Sequence, residues 1–392
     1  MLSKKLSSVT PSFTVGISTK VKELKKQGQD ITNLSIGEPD FFTPENVKEA
    51  AINAIRNNLT KYDAASGVLE LRQAICKKLK NDNNLDYEAN QIVVSSGAKH
   101  SITNILMAVL NPNDEVIIPA PYWVSYPEMV KLTGGVPIFI NAKKENSFKI
   151  QPQELHDVIT ENTKAIFITN PSNPTGAVYN KEELKKIVDI CVQNNIYILS
   201  DEIYEKIIFD KEFTSIASFS KEAYDLTITI NGLSKSASMT GWRIGYTASN
   251  LELAKAMGSI QGHLVSHPCT ISQWAALKAV ENCEEATQEM VEIYRTRRDL
   301  VIDLFKGIPK VSIIEPDGAF YFFIDISQLK DSLDYKDSLS LKVCDDLLEN
   351  QKVAFVPGIA FGNDDFIRMS YATSIDNIKI GLDKLKKYTE SL

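Results

Sequence analysis

Lys235 and Arg243 are the residues whose types and spacing most clearly suggest chemistry. Lys235 lies among small residues in the segment GLSKSASMTG, directly after a short run of β-branched residues, and Arg243 follows eight positions later. A lysine amine can form an imine with an aldehyde, and an arginine can bind a phosphate through two parallel hydrogen bonds. Small neighbours leave room for a flat ring beside the lysine. The segment is therefore predicted to hold a small molecule that carries both an aldehyde and a phosphate.

The ordinary explanation for such a lysine is a solvated loop residue, because cationic side chains are mostly exposed. A functional interpretation needs partners elsewhere in the chain that suit the same molecule. Pyridoxal phosphate has one aldehyde and one phosphate, and it is the cofactor that fits Lys235 and Arg243 together. Its ring and its phosphate require further polar groups, and the chain offers candidates for both.

Two predicted strands end in motifs that suit the cofactor ring. Asp201 ends one strand, and Tyr204 follows three residues later. A buried aspartate needs a cationic partner, which a protonated pyridine nitrogen would supply, and Tyr204 could hydrogen-bond the phenolic oxygen of the cofactor. Asn173 lies in a loop made rigid by two prolines, where it is a fixed polar donor. The alternatives are a helix cap for the aspartate and simple turn chemistry for the asparagine.

Two further motifs supply a phosphate site and an aromatic surface. Gly97, Ala98 and Lys99 follow a predicted strand and open a helix, where backbone N–H groups are free to bind a phosphate. Trp123 offers a face that can stack on a ring, although a tryptophan alone is more often a core residue. A strand-to-helix turn with one glycine is also often only a turn. Neither motif is specific by itself.

These motifs are positioned by short apolar segments that alternate with amphipathic helical patterns. Most of the segments are rich in Ile, Val, Phe or Thr, as strands buried on both faces are. Seven strands are predicted, at residues 91–95, 115–119, 136–140, 165–169, 196–200, 227–231 and 244–248. The alternation predicts an α/β fold with a mainly parallel sheet, and ligands of such sheets bind at the carboxyl ends of the strands.

The chain after residue 250 is organised differently. Residues 251–306 are predicted to be helical, and strand-like segments with one further helix follow, which suggests a smaller α+β domain. The first forty residues lack the α/β alternation and could complete that smaller domain. We therefore expect an N-terminal segment (1–40), a large cofactor-binding domain (41–295) and a small C-terminal domain (296–392).

Composition and charge exclude several classes of protein. Of the 392 residues 43% are apolar and 24% charged, as is usual for a globular protein. The net charge of −7 disfavours nucleic acid or an anionic membrane as a partner. No stretch approaches the roughly 18 apolar residues of a membrane span, and the first residues lack the apolar core of a signal peptide. No nucleic-acid or membrane partner is expected.

The cysteines and histidines indicate reduced thiols and no metal. Five cysteines are scattered without a C-x-x-C pair, and none of the four histidines has metal-ligand spacing. An odd number of scattered cysteines is typical of a reducing compartment rather than of a disulfide framework or a zinc site. We therefore expect a cytoplasmic protein of more than one domain.

Taken together, the motifs resemble those of the fold-type I pyridoxal-phosphate enzymes, and in particular of the class I aminotransferases. The similarity is greatest to the bacterial aspartate and aspartate/prephenate aminotransferase branch and runs nearly end to end. It rests on residues 35–40, 61–62, 121–129, 170–176, 200–204, 234–245 and 366–372. The resemblance implies a mainly parallel seven-stranded sheet flanked by helices, with a smaller α+β domain.

The resemblance also implies a role for each matching residue. Lys235 would carry the cofactor as an imine and transfer the proton, and Asp201 would pair with the pyridine nitrogen. The ring oxygen would be held by Asn173 and Tyr204, the ring face by Trp123, and the phosphate by Arg243, Ser234, Gly97, Ala98, Lys99 and, from the other subunit of a homodimer, Tyr62. The substrate would meet Arg368 at its α-carboxylate, Gly37, Trp123 and Asn173 nearby, and Lys99 at its distal carboxylate.

Two positions depart from the pattern of this branch. Many relatives carry a serine three residues before the lysine, where this chain has Gly232, so one phosphate hydrogen bond is expected to come from Ser234 instead. Members that also use prephenate tend to carry a lysine just before a Pro-Ser pair, where this chain has Thr10. Prephenate is therefore expected to be a poor acceptor.

The activity implied is transfer of the amino group of aspartate or glutamate to a 2-oxo acid such as 2-oxoglutarate, in two half-reactions. An aromatic or alanine aminotransferase, or a β-lyase, on the same scaffold is the alternative, since fold alone does not separate these reactions. A transcription regulator with a related cofactor module would need an added DNA-binding domain and a basic patch, whereas the resemblance occupies the whole chain.

Overall fold

The computed structural model describes Ser7, residues 9–11 and residues 13–392. The sequence interpretation of the first six residues, and Ser12 of the Pro-Ser pair, lie outside this description. Over the described residues the helices are α1 (Phe13–Lys26), α2 (Glu45–Arg56), α3 (Leu69–Asn83), α4 (Ala98–Val109), α5 (Tyr126–Leu132), α6 (Pro152–His156), α7 (Lys181–Gln193), α8 (Lys221–Leu226), α9 (Leu251–Val265), α10 (Thr270–Asn282), α11 (Glu284–Phe305), α12 (Leu339–Asn350) and α13 (Ile375–Glu390). None of them is long and apolar enough to cross a membrane.

The strands form one large sheet and two small ones. They are β1 (Thr32–Asn33), β2 (Ile92–Ser95), β3 (Glu115–Ala120), β4 (Val136–Asn141), β5 (Thr163–Thr169), β6 (Tyr197–Asp201), β7 (Thr227–Gly232), β8 (Gly245–Ala248), β9 (Ser312–Ile313), β10 (Tyr321–Asp325), β11 (Val353–Ala354), β12 (Val356–Pro357) and β13 (Phe366–Ser370). The large sheet has the order β2-β8-β7-β6-β5-β3-β4.

The seven predicted strands of the large sheet are confirmed, each to within two residues at either end. Every residue of β7 is buried, because helices cover both faces of the sheet and leave no solvent-facing side. β3 to β7 pair in parallel, whereas β8 runs antiparallel to both of its neighbours, β7 and β2. The predicted mainly parallel α/β sheet is therefore correct, with one reversed strand.

The register of the central strands brings three loops to one edge of the sheet. Asp201, the last residue of β6, lies opposite Thr169 of β5 and Ile230 of β7. The loop that contains Asn173, the Asp201–Tyr204 turn and the segment that contains Lys235 therefore start at the same level of the sheet. Parallel strands necessarily place their carboxyl ends together, so distant parts of the chain form one site.

The N-terminal residues pack against the C-terminal part of the chain. β1 pairs in parallel with β11, and a small apolar cluster joins Val21 and Ile31 to Leu348 and Ala354. The second small sheet is antiparallel, in the order β12-β13-β10-β9. The division at residues 40 and 295 stays a prediction, and its second boundary falls inside α11, a single helix of 22 residues.

Candidate active site

A cavity of about 660 Å³ opens at the carboxyl ends of β5, β6 and β7. Arg368 of β13 and residues of α1 close its other side. Eleven of the thirteen residues predicted for the site line it: Gly37, Ala98, Lys99, Trp123, Asn173, Asp201, Tyr204, Ser234, Lys235, Arg243 and Arg368. Residues that are up to 331 positions apart in the sequence thus meet in one cavity.

Lys235 projects into the cavity from the loop after β7. Its Nζ donates a 2.6 Å hydrogen bond to the carbonyl oxygen of Gly37, and it lies 5.8 Å from the ring centre of Phe320. Lys235 lines the cavity, and the residues around it bury the amine. This desolvation, reinforced by the positive charges of Arg368 and Arg243, lowers the pKa of Lys235 to about 8. About a tenth of the amine is therefore neutral at pH 7, far more than for an ordinary lysine, and the neutral amine is the nucleophilic and basic form.

Asp201 is almost fully buried, and both of its carboxylate oxygens are held. Oδ2 accepts a 2.6 Å hydrogen bond from the hydroxyl of Tyr126, and Oδ1 accepts a 3.2 Å bond from the N–H of Ile203. Burial raises the pKa of Asp201, and these hydrogen bonds oppose the rise. The Tyr126 hydroxyl is also 2.8 Å from that of Thr169. The carboxylate is thus fixed in direction, with lone pairs left for a cation in the cavity.

Tyr126 and Tyr321 are site residues that sequence reasoning missed. In the segment 121–129 the sequence singled out only Trp123, although it is the hydroxyl of Tyr126 that orients Asp201. The hydroxyl of Tyr321 lies 2.8 Å from that of Tyr204, and its ring lies 4.4 Å from the guanidinium carbon of Arg368. Both contacts join residues more than seventy positions apart. Neither residue has a local sequence signal that could have indicated its partner.

Arg368 is a buried cation whose guanidinium is fixed by two hydrogen bonds. Nη1 donates to Oδ1 of Asn173 at 3.0 Å, and Nη2 donates to the carbonyl oxygen of Ser35 at 2.9 Å. Its Nε is buried and has no hydrogen-bond partner within the part of the chain that the structure describes, and the residue is 3% exposed. Burial lowers the pKa of Arg368, although an arginine remains charged. Since Asn173 uses its amide oxygen here, its amide nitrogen stays available as a donor.

Arg243 and the turn before α4 form a compact anion site. Gly97 has a φ of +85°, and a Cβ placed there would lie 2.2 Å from Nη2 of Arg243, so only glycine permits this approach. Ala98 begins α4, whose first N–H groups have no helical partner, and Ser234 lines the same cavity. Arginine, a hydroxyl and a helix N-terminus are the donors that suit a phosphate.

The structure gives a physical reason for glycine at position 232. A Cβ at this residue would lie 2.9 Å from the carbonyl oxygen of Ile244 and 3.0 Å from Cα of Gly245. The two strands β7 and β8 approach too closely here for a serine to fit without a shift of the backbone. Ser234 is buried and faces the cavity. The expected replacement of the serine at 232 by Ser234 stays a prediction.

Lys99 lies inside the cavity, whereas Tyr62 lies outside it. Lys99 reaches into the cavity, where its Nζ is 5.0 Å from the ring of Trp123. Tyr62 is 89% exposed and lies outside the cavity of its own chain, with its ring edge-on to that of His267. Within one chain the structure therefore brings together every predicted residue except Tyr62, since Gly97 contacts Arg243 directly.

Comparison with known proteins identifies the family. The family model described as "Aminotransferase class I and II" matches residues 29–385. The chain belongs to this family. The aspartate aminotransferase of Bacillus subtilis is 43% identical over 99% of both chains, and a probable aspartate/prephenate aminotransferase of Aquifex aeolicus is 44% identical over 100% of this chain and 99% of its own. The structure of the Thermus thermophilus aspartate aminotransferase with maleate has a TM-score of 0.93 and 39% identity over 99% of both chains.

Membership of the class I and II aminotransferases agrees with the chemistry of the cavity. The protein is a pyridoxal-phosphate-dependent aminotransferase, and its fold is that of the fold-type I enzymes. The residues present fit this cofactor: Lys235 offers an amine of lowered pKa, Asp201 a fixed carboxylate, and Arg243 with the α4 N-terminus an anion site. The expected aminotransferase activity and cofactor are thus confirmed.

Proposed function

We propose that this aminotransferase uses aspartate and glutamate as amino donors and a 2-oxo acid such as 2-oxoglutarate as acceptor. One observation carries the proposal: Arg368 and Lys99 face the same cavity, and among the described residues no ion pair joins either of them to a carboxylate. Buried or half-buried cations need anionic partners. A dicarboxylate substrate would supply one carboxylate to each. The Thermus relative was solved with maleate, which is also a dicarboxylate.

Lys235 is proposed as the residue that holds the cofactor and moves the substrate proton. When bound, pyridoxal phosphate supplies an electron-accepting ring for the electrons of the substrate Cα–H bond. The amine of Lys235 has a pKa of about 8, so near neutral pH it can take the Cα proton at Nζ and return it. The Gly37 carbonyl, which accepts from Nζ, orients the amine.

The remaining predicted residues are proposed to bind and orient. Asp201 keeps a carboxylate beside the ring nitrogen, and Tyr126 holds that carboxylate in place. Tyr204 and the amide nitrogen of Asn173 would donate hydrogen bonds to the ring oxygen of the cofactor. Trp123 would stack on the face of the ring. Arg243, Ser234 and the turn Gly97, Ala98 and Lys99 bind the phosphate, Arg368 binds the substrate α-carboxylate and Gly37 lies beside it.

A screen of the first half-reaction tests the proposal. Purified enzyme with bound cofactor is mixed with aspartate, glutamate, alanine or tyrosine, and the change in cofactor absorbance gives a rate constant for each donor. Aspartate and glutamate should react fastest. A clear preference for alanine or tyrosine would instead support the alanine or aromatic aminotransferase, and release of pyruvate with loss of the substrate side chain would support a β-lyase.

We also propose a homodimer in which Tyr62 reaches the phosphate of the other subunit. Tyr62 and Phe42 are 89% and 91% exposed, which is unusual for large apolar side chains and suits a surface covered by a second copy. Lys235→Ala and Tyr62→Ala subunits, each impaired alone, should regain activity when mixed, since one site of the heterodimer carries both native residues. No recovery, or a monomer in sedimentation, would contradict shared sites.

The compartment and the partners are proposed from the sequence and the thiols. All five cysteines are free, which suits a reducing cytoplasm. The partners are the small amino acids and 2-oxo acids and a second copy of the chain, with no nucleic acid or membrane. Cell fractionation tests this assignment, and recovery of the enzyme with the membrane or the nucleoid would contradict it.

A further inference from the structure

Glu205 is a buried carboxylate that has no place in the site described above. It follows Tyr204 directly, but it does not line the cavity. Its side chain is 7% exposed. It forms an ion pair with Lys78 and accepts hydrogen bonds from Asn83 at 2.7 Å and from Asn231 at 2.8 Å. These three donors come from α3 and β7. One carboxylate therefore connects a helix, a strand and the turn that carries Tyr204.

Asn231 links this carboxylate to the segment that carries Lys235. Its Nδ2 donates to Glu205, and its Oδ1 accepts a 2.7 Å hydrogen bond from the N–H of Gly232. Both ends of the buried amide are thus fixed at the point where β7 ends. Lys235 follows four residues after Asn231, so the direction in which the chain leaves β7 decides where its amine lies.

Glu205 also belongs to the turn that carries Asp201. The N–H of Glu202 donates to the carbonyl oxygen of Ile230 at 2.8 Å, and the N–H of Glu205 donates to the carbonyl oxygen of Glu202 at 2.9 Å. The backbone thus joins this turn to β7 at Ile230, and the Glu205 side chain joins it to β7 a second time at Asn231.

We propose that Glu205 is a positioning residue that acts through Asn231 to hold Lys235 in register with Asp201 and Tyr204. The proposal rests on the proposed role of Lys235. The competing explanation is a buried ion pair that contributes only to stability, since the Lys78–Glu205 pair also has Asp82 at 3.9 Å. A stabilising pair would change the unfolding temperature and leave the properties of Lys235 unchanged.

The variants Glu205→Gln, Asn231→Ala and the double variant test the connection. Glu205→Gln removes the charge at nearly constant volume, and Asn231→Ala removes the link while it leaves the Lys78–Glu205 pair intact. Asp82→Asn is the matched control, because Asp82 contacts Lys78 and Lys206 and has no bond to Asn231 among the described residues. Thermal unfolding is measured for every variant, and Asn231→Ser replaces Asn231→Ala if the latter does not fold.

Two measurements report on Lys235 itself. In the cofactor-free protein, the pH dependence of Lys235 modification by an amine-reactive reagent, read by mass spectrometry, gives its apparent pKa. In the loaded enzyme, steady-state turnover with aspartate and 2-oxoglutarate gives kcat and KM separately. We expect each single variant to shift the apparent pKa by about half a unit or more and to lower kcat about tenfold, with KM changed less than about twofold. Asp82→Asn should match the wild type in both.

The double variant decides whether Glu205 acts through Asn231. If it does, the double variant should lose no more than about the tenfold lost by either single variant, because both remove the same connection. Losses that multiply, or variants with a lower unfolding temperature and an unchanged Lys235 pKa and kcat, would overturn the proposal. Failure of the wild type to attach the cofactor at Lys235 would instead overturn the proposed function.

Discussion

Lys99 offers the sharpest test of substrate choice, because its proposed role concerns only one of the two carboxylates of the substrate. Its Nζ lies 5.0 Å from the ring of Trp123, and among the described residues it has no carboxylate partner. Burial, with the charge of Arg243, lowers the pKa of Lys99, which indicates that the ammonium gains from an anion beside it. Lys99→Met keeps the apolar stem over Trp123 and removes the charge, whereas Lys99→Ala removes both.

The magnitude follows from the loss of one charge-assisted hydrogen bond. Such a bond contributes about 1.5–3 kcal/mol, so kcat/KM for aspartate should fall roughly 10- to 150-fold in Lys99→Met. Alanine has no distal carboxylate, and its kcat/KM should change less than about threefold. The assay is the single-turnover half-reaction of each donor at saturating cofactor. Equal losses for aspartate and alanine would contradict the proposed binding of the distal carboxylate by Lys99. Lys99 would then contribute to phosphate binding alone.

Three further predictions concern Arg368, the buried carboxyl group of Glu202 and the acceptor prephenate. Arg368→Lys should lower kcat/KM about 10- to 150-fold for aspartate and alanine alike, because the α-carboxylate loses one arm of a planar fork; a loss confined to aspartate would reverse the two carboxylate assignments. Burial, then the charge of Glu205, raises the pKa of Glu202 from 4.5 to about 8. The folded state therefore keeps a proton that the unfolded state releases, and the free energy of unfolding should fall by about 3–4 kcal/mol as the pH rises from about 5 to about 8. Glu202→Gln should abolish that slope in denaturant titrations, and an unchanged slope would contradict it. Prephenate should have a kcat/KM at least about tenfold below that of 2-oxoglutarate, because Thr10, whose backbone N–H donates to Glu128 at 2.8 Å, offers only a neutral side chain for the second carboxylate; equal values would show that a cation elsewhere binds that carboxylate.

The fold could be predicted because burial on both faces leaves a strong pattern in the sequence. β5, β6 and β7 are apolar runs bounded by polar turns, and their interior residues are buried as that pattern requires. The reversal of β8 could not be predicted, since Gly245–Ala248 is fully buried just as β7 is, and burial carries no information on strand direction. Strand direction depends on the path of the loop between β7 and β8, and local composition does not determine that path.

The site could be predicted where function follows a strand end, and it could not where function depends on long-range contacts. Asp201 and Lys235 come directly after buried strands, so the rule for parallel sheets places them together. Tyr321 and Tyr126 were missed because their hydroxyls gain a role only through partners 117 and 75 residues away. Glu205 was missed for the same reason, since its donor Asn83 is 122 residues away.

Identification of the lysine that carries the cofactor tests the proposed role of Lys235 most directly. The loaded enzyme is reduced with borohydride, digested and sequenced by mass spectrometry, alongside Lys235→Ala and the control Lys99→Ala. We expect the label on Lys235 alone in the wild type, no label and a rate lower by several orders of magnitude in Lys235→Ala, and normal labelling in Lys99→Ala. A label on any other lysine of the wild-type enzyme would contradict the proposed role of Lys235.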